Sequence, residues 1–335
     1  MSEICRVGIV GGGLIGSLCA LKLTEPGNPN SLVGRTVTIF DRGDPRRTAA
    51  YTAGAFVNPD WSANLSVCRW QQDSWRFYGK AAQDPEAGVM FGPINVLRRQ
   101  PRELGPNEWC LTANELLPGF LYGTAFNSYR INPPKFLGWM RKELERRGVQ
   151  FVQQEIRSFE EVKQQCGARV IVNGTGVGAR LLADDPTVVP YREHCARIHL
   201  PNAPQVVRLA ALEQTWCVPV APDEVRVGGT SDEGCWDLTP DPDALGAMFI
   251  RVKEIMPPEL HFFDPWGKGV IEVTCGLRPG RPKVRLEVED RSDDISVVHC
   301  YGHGRRGGEG FTLGPGCASE VCIKVLWELE EYSSD

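Results

Sequence analysis

Apolar positions along this chain fall into short runs whose period changes from strand-like to helix-like. Val7-Gly8-Ile9-Val10 is an unbroken apolar run, as expected of a strand covered on both faces. Leu18-Cys19-Ala20-Leu21-Lys22-Leu23 has the density of a packed helix. Between them lie Gly11-Gly12-Gly13-Leu14-Ile15-Gly16, with Gly11, Gly13 and Gly16 in G-x-G-x-x-G spacing. Strand, glycine turn and helix form the pattern that sets a pyrophosphate against free N–H groups at a helix N-terminus. Thr36-Val37-Thr38-Ile39-Phe40 reads as a second strand ending at Asp41, which lies 25 residues beyond Gly16. A carboxylate near that offset suits a free ribose 2′-OH, as in NAD or FAD, and opposes the extra phosphate of NADP.

Arg42 to Ala55 forms a loop of mostly small residues. Leu65, Trp70, Trp75 and Phe77 then predict a helix over 62–78, with Ser62 as its cap. Short alternations and turn residues over 88–130 predict strands of a second domain. Asn132 as N-cap and Pro133 at the first helical position open a helix that runs to Arg146-Arg147, with Gly148 as its stop. Strands follow at Val149–Val152 and Ala168–Val172, the latter leading into the turn Asn173-Gly174-Thr175-Gly176. The second domain resumes with strands at Trp216–Val220 and Val225–Val227 and a helix near Asp243–Met256. Strands at Lys283–Glu287 and Ile295–Val298, a glycine-rich loop from Tyr301 to Gly316 and a helix over Cys317–Leu329 close the chain.

The fold class is therefore α/β: a Rossmann-like nucleotide-binding domain assembled from 1–87, 131–191 and 275–335. Into it is inserted a mainly antiparallel β-sheet substrate domain from 88–130 and 192–274.

With 335 residues there is room for two domains, and a net charge of −5 provides no basic field for nucleic acid. No apolar run approaches the ~18 residues of a membrane span. The N-terminus lacks the basic region of a signal peptide, and the C-terminal Tyr332-Ser333-Ser334-Asp335 is not of the Ser-Lys-Leu type. Twelve cysteines without a C-x-x-C pair read as reduced thiols, and the expected location is cytoplasmic. His299 and His303 stand four apart, but on a strand end and a glycine loop, so no metal site is expected.

The whole length resembles the D-amino acid oxidase and D-aspartate oxidase family of FAD enzymes. The resemblance rests on Val10–Gly16, Ile131–Phe136, Val172–Val177, Gly276–Glu287 and Tyr301–Gly304, the last two being the most selective. It implies FAD as cofactor, a small-molecule D-amino acid as substrate and molecular oxygen as electron acceptor; a homodimer is one assembly that the sequence leaves open. Implied cofactor contacts are Gly11, Gly13, Leu14, Ile15, Gly16, Asp41, Arg42, Thr48, Ala49, Gly54, Ala55, Val172, Gly308, Gly310, Phe311 and Thr312. Arg278 matches the arginine that clamps the substrate carboxylate, and Trp216 stands where a tyrosine hydroxyl is usual. Arg281 and Arg285 read as structural, with Arg285 near the flavin as an alternative.

Three departures keep other readings open. Trp216 offers a donor but no acceptor, the stretch from Arg197 to Trp216 is short, and Arg305-Arg306 with Glu309 lengthen the glycine loop. If either arginine points inward, D-aspartate or D-glutamate becomes the substrate; if outward, the segment is a solvated insertion. An FAD-dependent oxidase of an imino acid or other biosynthetic amine, and a nucleotide-binding protein without redox turnover, are the remaining alternatives.

Overall fold

The computed structural model describes residues 6–27, 32, 36–61, 63–210, 214–256, 269–292, 294–305 and 308–334. Their strands join into one continuous 14-stranded sheet. Its parallel end carries Ile295–His303, Val170–Asn173, Arg6–Val10, Thr36–Asp41 and Gln150–Gln153, side by side in that order. Pieces far apart in sequence thus build one parallel sheet, as the apolar runs predict. Ile9 lies across from Ile39 on one side and Val172 on the other. Val170 and Val172 enter the core beneath the helices Leu14–Leu23, Pro133–Arg146 and Glu309–Ser334, while Ile171 enters the core beneath Phe159–Cys166. This two-sided burial is why the strands lack polar alternation.

Beyond Ile295–His303 the sheet continues, mainly antiparallel, through Val270–Ser292, Val189–His199, Glu224–Gly228, Thr215–Ala221, Val207–Ala210, Val89–Arg98, Tyr122–Ile131 and Trp109–Cys110. The strand Val270–Ser292, 23 residues long, ties the two regions together. Its first part pairs with Val189–His199 and its second part with Ile295–His303. Beneath the antiparallel region lies the helix Pro242–Glu254, whose Leu245, Met248, Phe249 and Val252 pack on Ala196, Ile198 and Val227.

Helix ends follow their caps. Asn132 accepts from the Lys135 amide at 3.3 Å, as its position before Pro133 predicts. The aromatic helix is Leu65–Ala81 and its cap is Asn64, which accepts from the Val67 amide at 3.1 Å; the expected cap Ser62 lies outside the described residues. The closing helix begins at Glu309, well before the expected Cys317, so the expected loop residues Gly310, Phe311 and Thr312 stand in its first turns. Proline at position 315 within it is tolerated, and the neighbouring Gly316 amide donates to Ser74 Oγ at 3.1 Å.

A Cβ at Gly316 would overlap the backbone of Trp70 in the facing helix. Gly316→Ala should therefore push the two helices apart and cost roughly 2–3 kcal/mol, read as a lowered midpoint in thermal unfolding. Eleven described cysteines are free thiols, and no helix among the described residues is long and apolar enough to cross a membrane.

Candidate active site

The first glycine turn has the shape that its sequence requires. Gly11 takes φ +105°, which only glycine adopts without strain, and a Cβ there would lie 2.6 Å from the Gly174 carbonyl oxygen. At Gly16 an added Cβ would overlap the Gly11 carbonyl oxygen. The following helix has Gly13 as N-cap, with no side-chain cap and no acidic residue in its first turn. Its leading N–H groups at Leu14, Ile15 and Gly16 are thus left without a side-chain acceptor, as a phosphate requires.

Around this turn, at Gly13, Gly308 and Gly310, an added atom would meet only ordinary van der Waals contacts. A Cβ at Gly13 would meet nothing nearer than Thr48 Cγ2 at 3.7 Å. At Gly310 the nearest atom would be Leu14 Cδ2, and at Gly308 the Phe56 carbonyl oxygen, each at 3.7 Å. Gly13, Thr48, Leu14 and Gly310 therefore surround one uncapped helix end. These residues fit a dinucleotide of the FAD type. Asp41, at the strand end, packs its carboxylate over Gly12 and accepts from the Gly43 amide at 2.5 Å.

The other implied contacts scatter by role. Val172 is fully buried in the central strand, paired with Ile9 on one side and Val298 on the other. Arg42 is exposed and lies 3.9 Å from Glu155. Thr312 is buried, with its hydroxyl accepting from the Asn58 amide at 3.0 Å, and Phe311 packs in the core while its carbonyl accepts from Tyr78 at 3.0 Å.

The loop 48–55 is held against the sheet from below. Thr48 caps the short helix Ala49–Thr52, accepting from the Tyr51 amide at 3.3 Å. Arg226, fully buried on the strand Glu224–Gly228, donates to the carbonyls of Tyr51 at 2.6 Å and Ala53 at 3.1 Å. The sequence reading passed over Arg226, although a charge between Val225 and Val227 in a short apolar run is a recoverable signal. Gly54 sits directly on the Trp216 indole, since a Cβ there would fall 2.6 Å from the ring, and the next residue, Ala55, takes φ +36°.

Sheet register then gathers the remaining groups on one face. Trp216 pairs with Gly228, Gly228 with Cys195, and Glu193 with Gly276, while Arg278 lies one pleat beyond Gly276. Residues two apart share a face, so Glu193 and Arg278 are diagonal neighbours. The glycines at 228 and 229 leave the room: a Cβ at Gly228 would strike the Trp216 ring, and one at Gly229 would meet Glu193 Oε1 and Trp216 Nε1, while Thr52 packs over Gly276. Glu193 Oε2 lies 3.2 Å from Arg278 Nε, and Trp216 Nε1 donates to Glu193 Oε1 at 3.3 Å. Arg278 Nη1 donates to the Gly304 carbonyl at 3.1 Å and Nη2 to Ser231 Oγ at 2.9 Å. One N–H on each terminal nitrogen remains for a ligand. Glu193, Trp216 and Arg278 are 8%, 7% and 9% exposed. Burial raises the Glu193 carboxyl above its ordinary range, against the pull of Arg278 and the Trp216 N–H.

Arg281 and Arg285 are structural. Arg281 pairs with Asp185 at 2.9 Å, and Arg285 binds Tyr301, Glu287 and Glu289. Arg305 is exposed and interacts with Tyr191, whose ring lies near the Arg278 guanidinium; Arg306 falls outside the described residues. His299 is bonded to Asn173 and Glu289, and burial with the nearby Arg285 holds its imidazole down to about 4. His303 sits apart from it with buried Cys300 and Cys317, their ligand-type atoms within 4.8 Å of one another.

Comparison with known proteins is consistent across methods. Residues 6–322 match the family model DAO, described as FAD dependent oxidoreductase. A D-amino-acid oxidase of Rubrobacter xylanophilus is 34% identical over 95% of both chains. The D-aspartate oxidase of Homo sapiens is 28% identical over 91% of both. Among solved structures, glycine oxidase from Geobacillus kaustophilus superposes with a TM-score of 0.77 at 16% identity, covering 97% of this chain and 95% of that one. Iminodiacetate oxidase from Chelativorans sp. BNC1 gives 0.74 at 18% identity, covering 95% of each chain.

Proposed function

Because the chain belongs to this family of FAD-dependent amino acid oxidases, we propose that it oxidises D-amino acids at Cα. The overall reaction is D-amino acid, O2 and water to 2-oxo acid, ammonia and hydrogen peroxide. The observation that carries this reading is Arg278, held on a buried strand with an N–H free on each terminal nitrogen, on the sheet face that also carries Trp216 and the Gly54 backbone.

FAD, when bound, supplies the acceptor for the substrate hydride. The turn Gly11–Gly16, Asp41, Thr48 and Ala49 would hold its nucleotide and phosphates; Gly54, Ala55 and Gly308–Thr312 would line its ring end, and Val172 its adenosine side. Arg278 binds the substrate carboxylate through two parallel hydrogen bonds, which fixes the direction of the Cα–H bond. Trp216, packed on Gly54, excludes water from that wall and replaces a hydroxyl with a single donor. We assign 88–130 and 192–274 to the substrate domain and 1–87, 131–191 and 275–335 to the FAD-binding domain, from which Arg278 reaches the substrate.

A second reading, an oxidase of glycine or of a secondary amine, is favoured by the structural likeness to glycine oxidase and iminodiacetate oxidase. Anaerobic mixing with both enantiomers of neutral, acidic and basic amino acids separates the two. The yellow holoenzyme should bleach with D-enantiomers and stay oxidised with L. Bleaching by glycine, sarcosine or proline without preference for the D-enantiomer would install the second reading instead, and a flavin left oxidised by the whole panel would remove both.

A further inference from the structure

Arg278 already has a carboxylate. Glu193 Oε2 stands 3.2 Å from its Nε, and Glu193 Oε1 takes the Trp216 N–H at 3.3 Å. These are the arginine and the aromatic donor that sequence resemblance assigns to a substrate carboxylate. We propose that Glu193 tunes affinity at the carboxylate clamp, as a resident competitor that shares Arg278 and Trp216 with the incoming α-carboxylate and weakens its binding. This rests on the reading of Arg278 as the carboxylate clamp.

The geometry makes the competition electrostatic, because Glu193 faces Nε while an N–H on each terminal nitrogen is left for the substrate. Glu193 is the diagonal neighbour of Arg278 beside Gly276, over which the Thr52 side chain packs, and Gly229 leaves room for the Glu193 carboxylate. The Glu193–Arg278 pair is neutral by itself, so a substrate carboxylate approaches a guanidinium whose charge is already partly balanced, with the buried Arg226 as the other cation acting on Glu193. It must then share Arg278 with a second buried anion, and like charges at such range repel strongly where water is excluded. Burial disfavours the ionised form of Glu193, and Arg278, the Trp216 N–H and the buried Arg226 are the groups that oppose this. Removing the Glu193 charge need not release Arg278, because the Gly304 carbonyl and Ser231 hydroxyl still grip both terminal nitrogens. A purely structural Glu193 would behave oppositely, since its loss would let Arg278 drift and loosen every carboxylate.

The test uses the holoenzyme and its Glu193→Gln and Glu193→Ala variants, with benzoate as a non-reacting carboxylate probe. Calorimetric titration should show benzoate binding at least ~10-fold tighter in the glutamine variant, with FAD content unchanged. In turnover the same variant should lower KM for a neutral D-amino acid by a similar factor, with kcat moving much less. The alanine variant supplies the same comparison if glutamine impairs folding. Unchanged or weaker benzoate binding in the variants overturns the competition, even where D-amino acids bleach the flavin. Tighter benzoate binding without bleaching by any D-amino acid upholds the competition and overturns the assigned reaction.

Discussion

Replacing Gly16 by alanine should yield a protein that purifies without FAD. The added Cβ would overlap the Gly11 carbonyl oxygen, within the turn itself. Neither partner can yield: Gly11 takes φ +105° and its amide donates to Phe40 O at 2.8 Å, while the facing Gly174 amide donates to Val10 O at 2.9 Å. The helix Leu14–Leu23 must therefore tilt or slide, which carries its uncapped N–H groups away from the phosphate position. An overpacked contact of this kind costs roughly 1–3 kcal/mol in stability. Displaced phosphate donors should weaken FAD by at least ~100-fold, equivalent to about 3 kcal/mol. Flavin-to-protein ratio and a fluorescence titration of the apoprotein measure both effects. Gly138→Ala is the matched control, since nothing lies within 4 Å of a Cβ there and the site is in a helix interior. It should leave the protein yellow and slightly more stable. A Gly16→Ala protein as yellow as the control would show that the turn does not hold the phosphates.

How much of this was legible before the structure depends on whether the information is local. The glycine turn, the Asn132 cap and the central strands are written within a few residues each, and all appear where the sequence puts them. The start of the closing helix was placed too late because Gly308, Gly310 and Gly314 suggest loop, whereas packing of Phe311 and Leu313 in the core pays for their poor helix propensity. The Asn64 cap was missed in favour of Ser62, two residues away in a stretch rich in capping side chains. Glu193 was invisible for a different reason. Nothing in Tyr191-Arg192-Glu193-His194 marks one charge as buried. Only the register Glu193 to Gly276, set by a strand pair about 80 residues apart in sequence, brings it to Arg278. Arg278 itself was legible through resemblance of its motif, never through spacing.

Arg278→Ala should abolish most turnover of D-amino acids while leaving FAD bound. The guanidinium shares a strand pair with Glu193 and hydrogen-bonds Gly304 and Ser231, and none of these belongs to the Gly11–Gly16 turn. Truncating one partner of a buried charge pair costs about 2–5 kcal/mol, so kcat/KM should fall by roughly 30- to 5,000-fold. Two further variants separate the causes. Arg278→Lys keeps a cation beside Glu193 but lacks the planar fork, so stability should stay near that of the parent while kcat/KM still falls at least ~30-fold. Arg278→Ala combined with Glu193→Ala removes both charges, so it should recover the stability lost in the single arginine variant without recovering activity. If the double variant regained turnover, Arg278 would be serving only to neutralise Glu193. If the lysine variant matched the parent in kcat/KM, a point charge would suffice and the bidentate clamp would be wrong. Loss of activity in all three, with flavin retained and stability lost only in the single alanine variant, is the pattern that a carboxylate clamp beside a resident carboxylate requires.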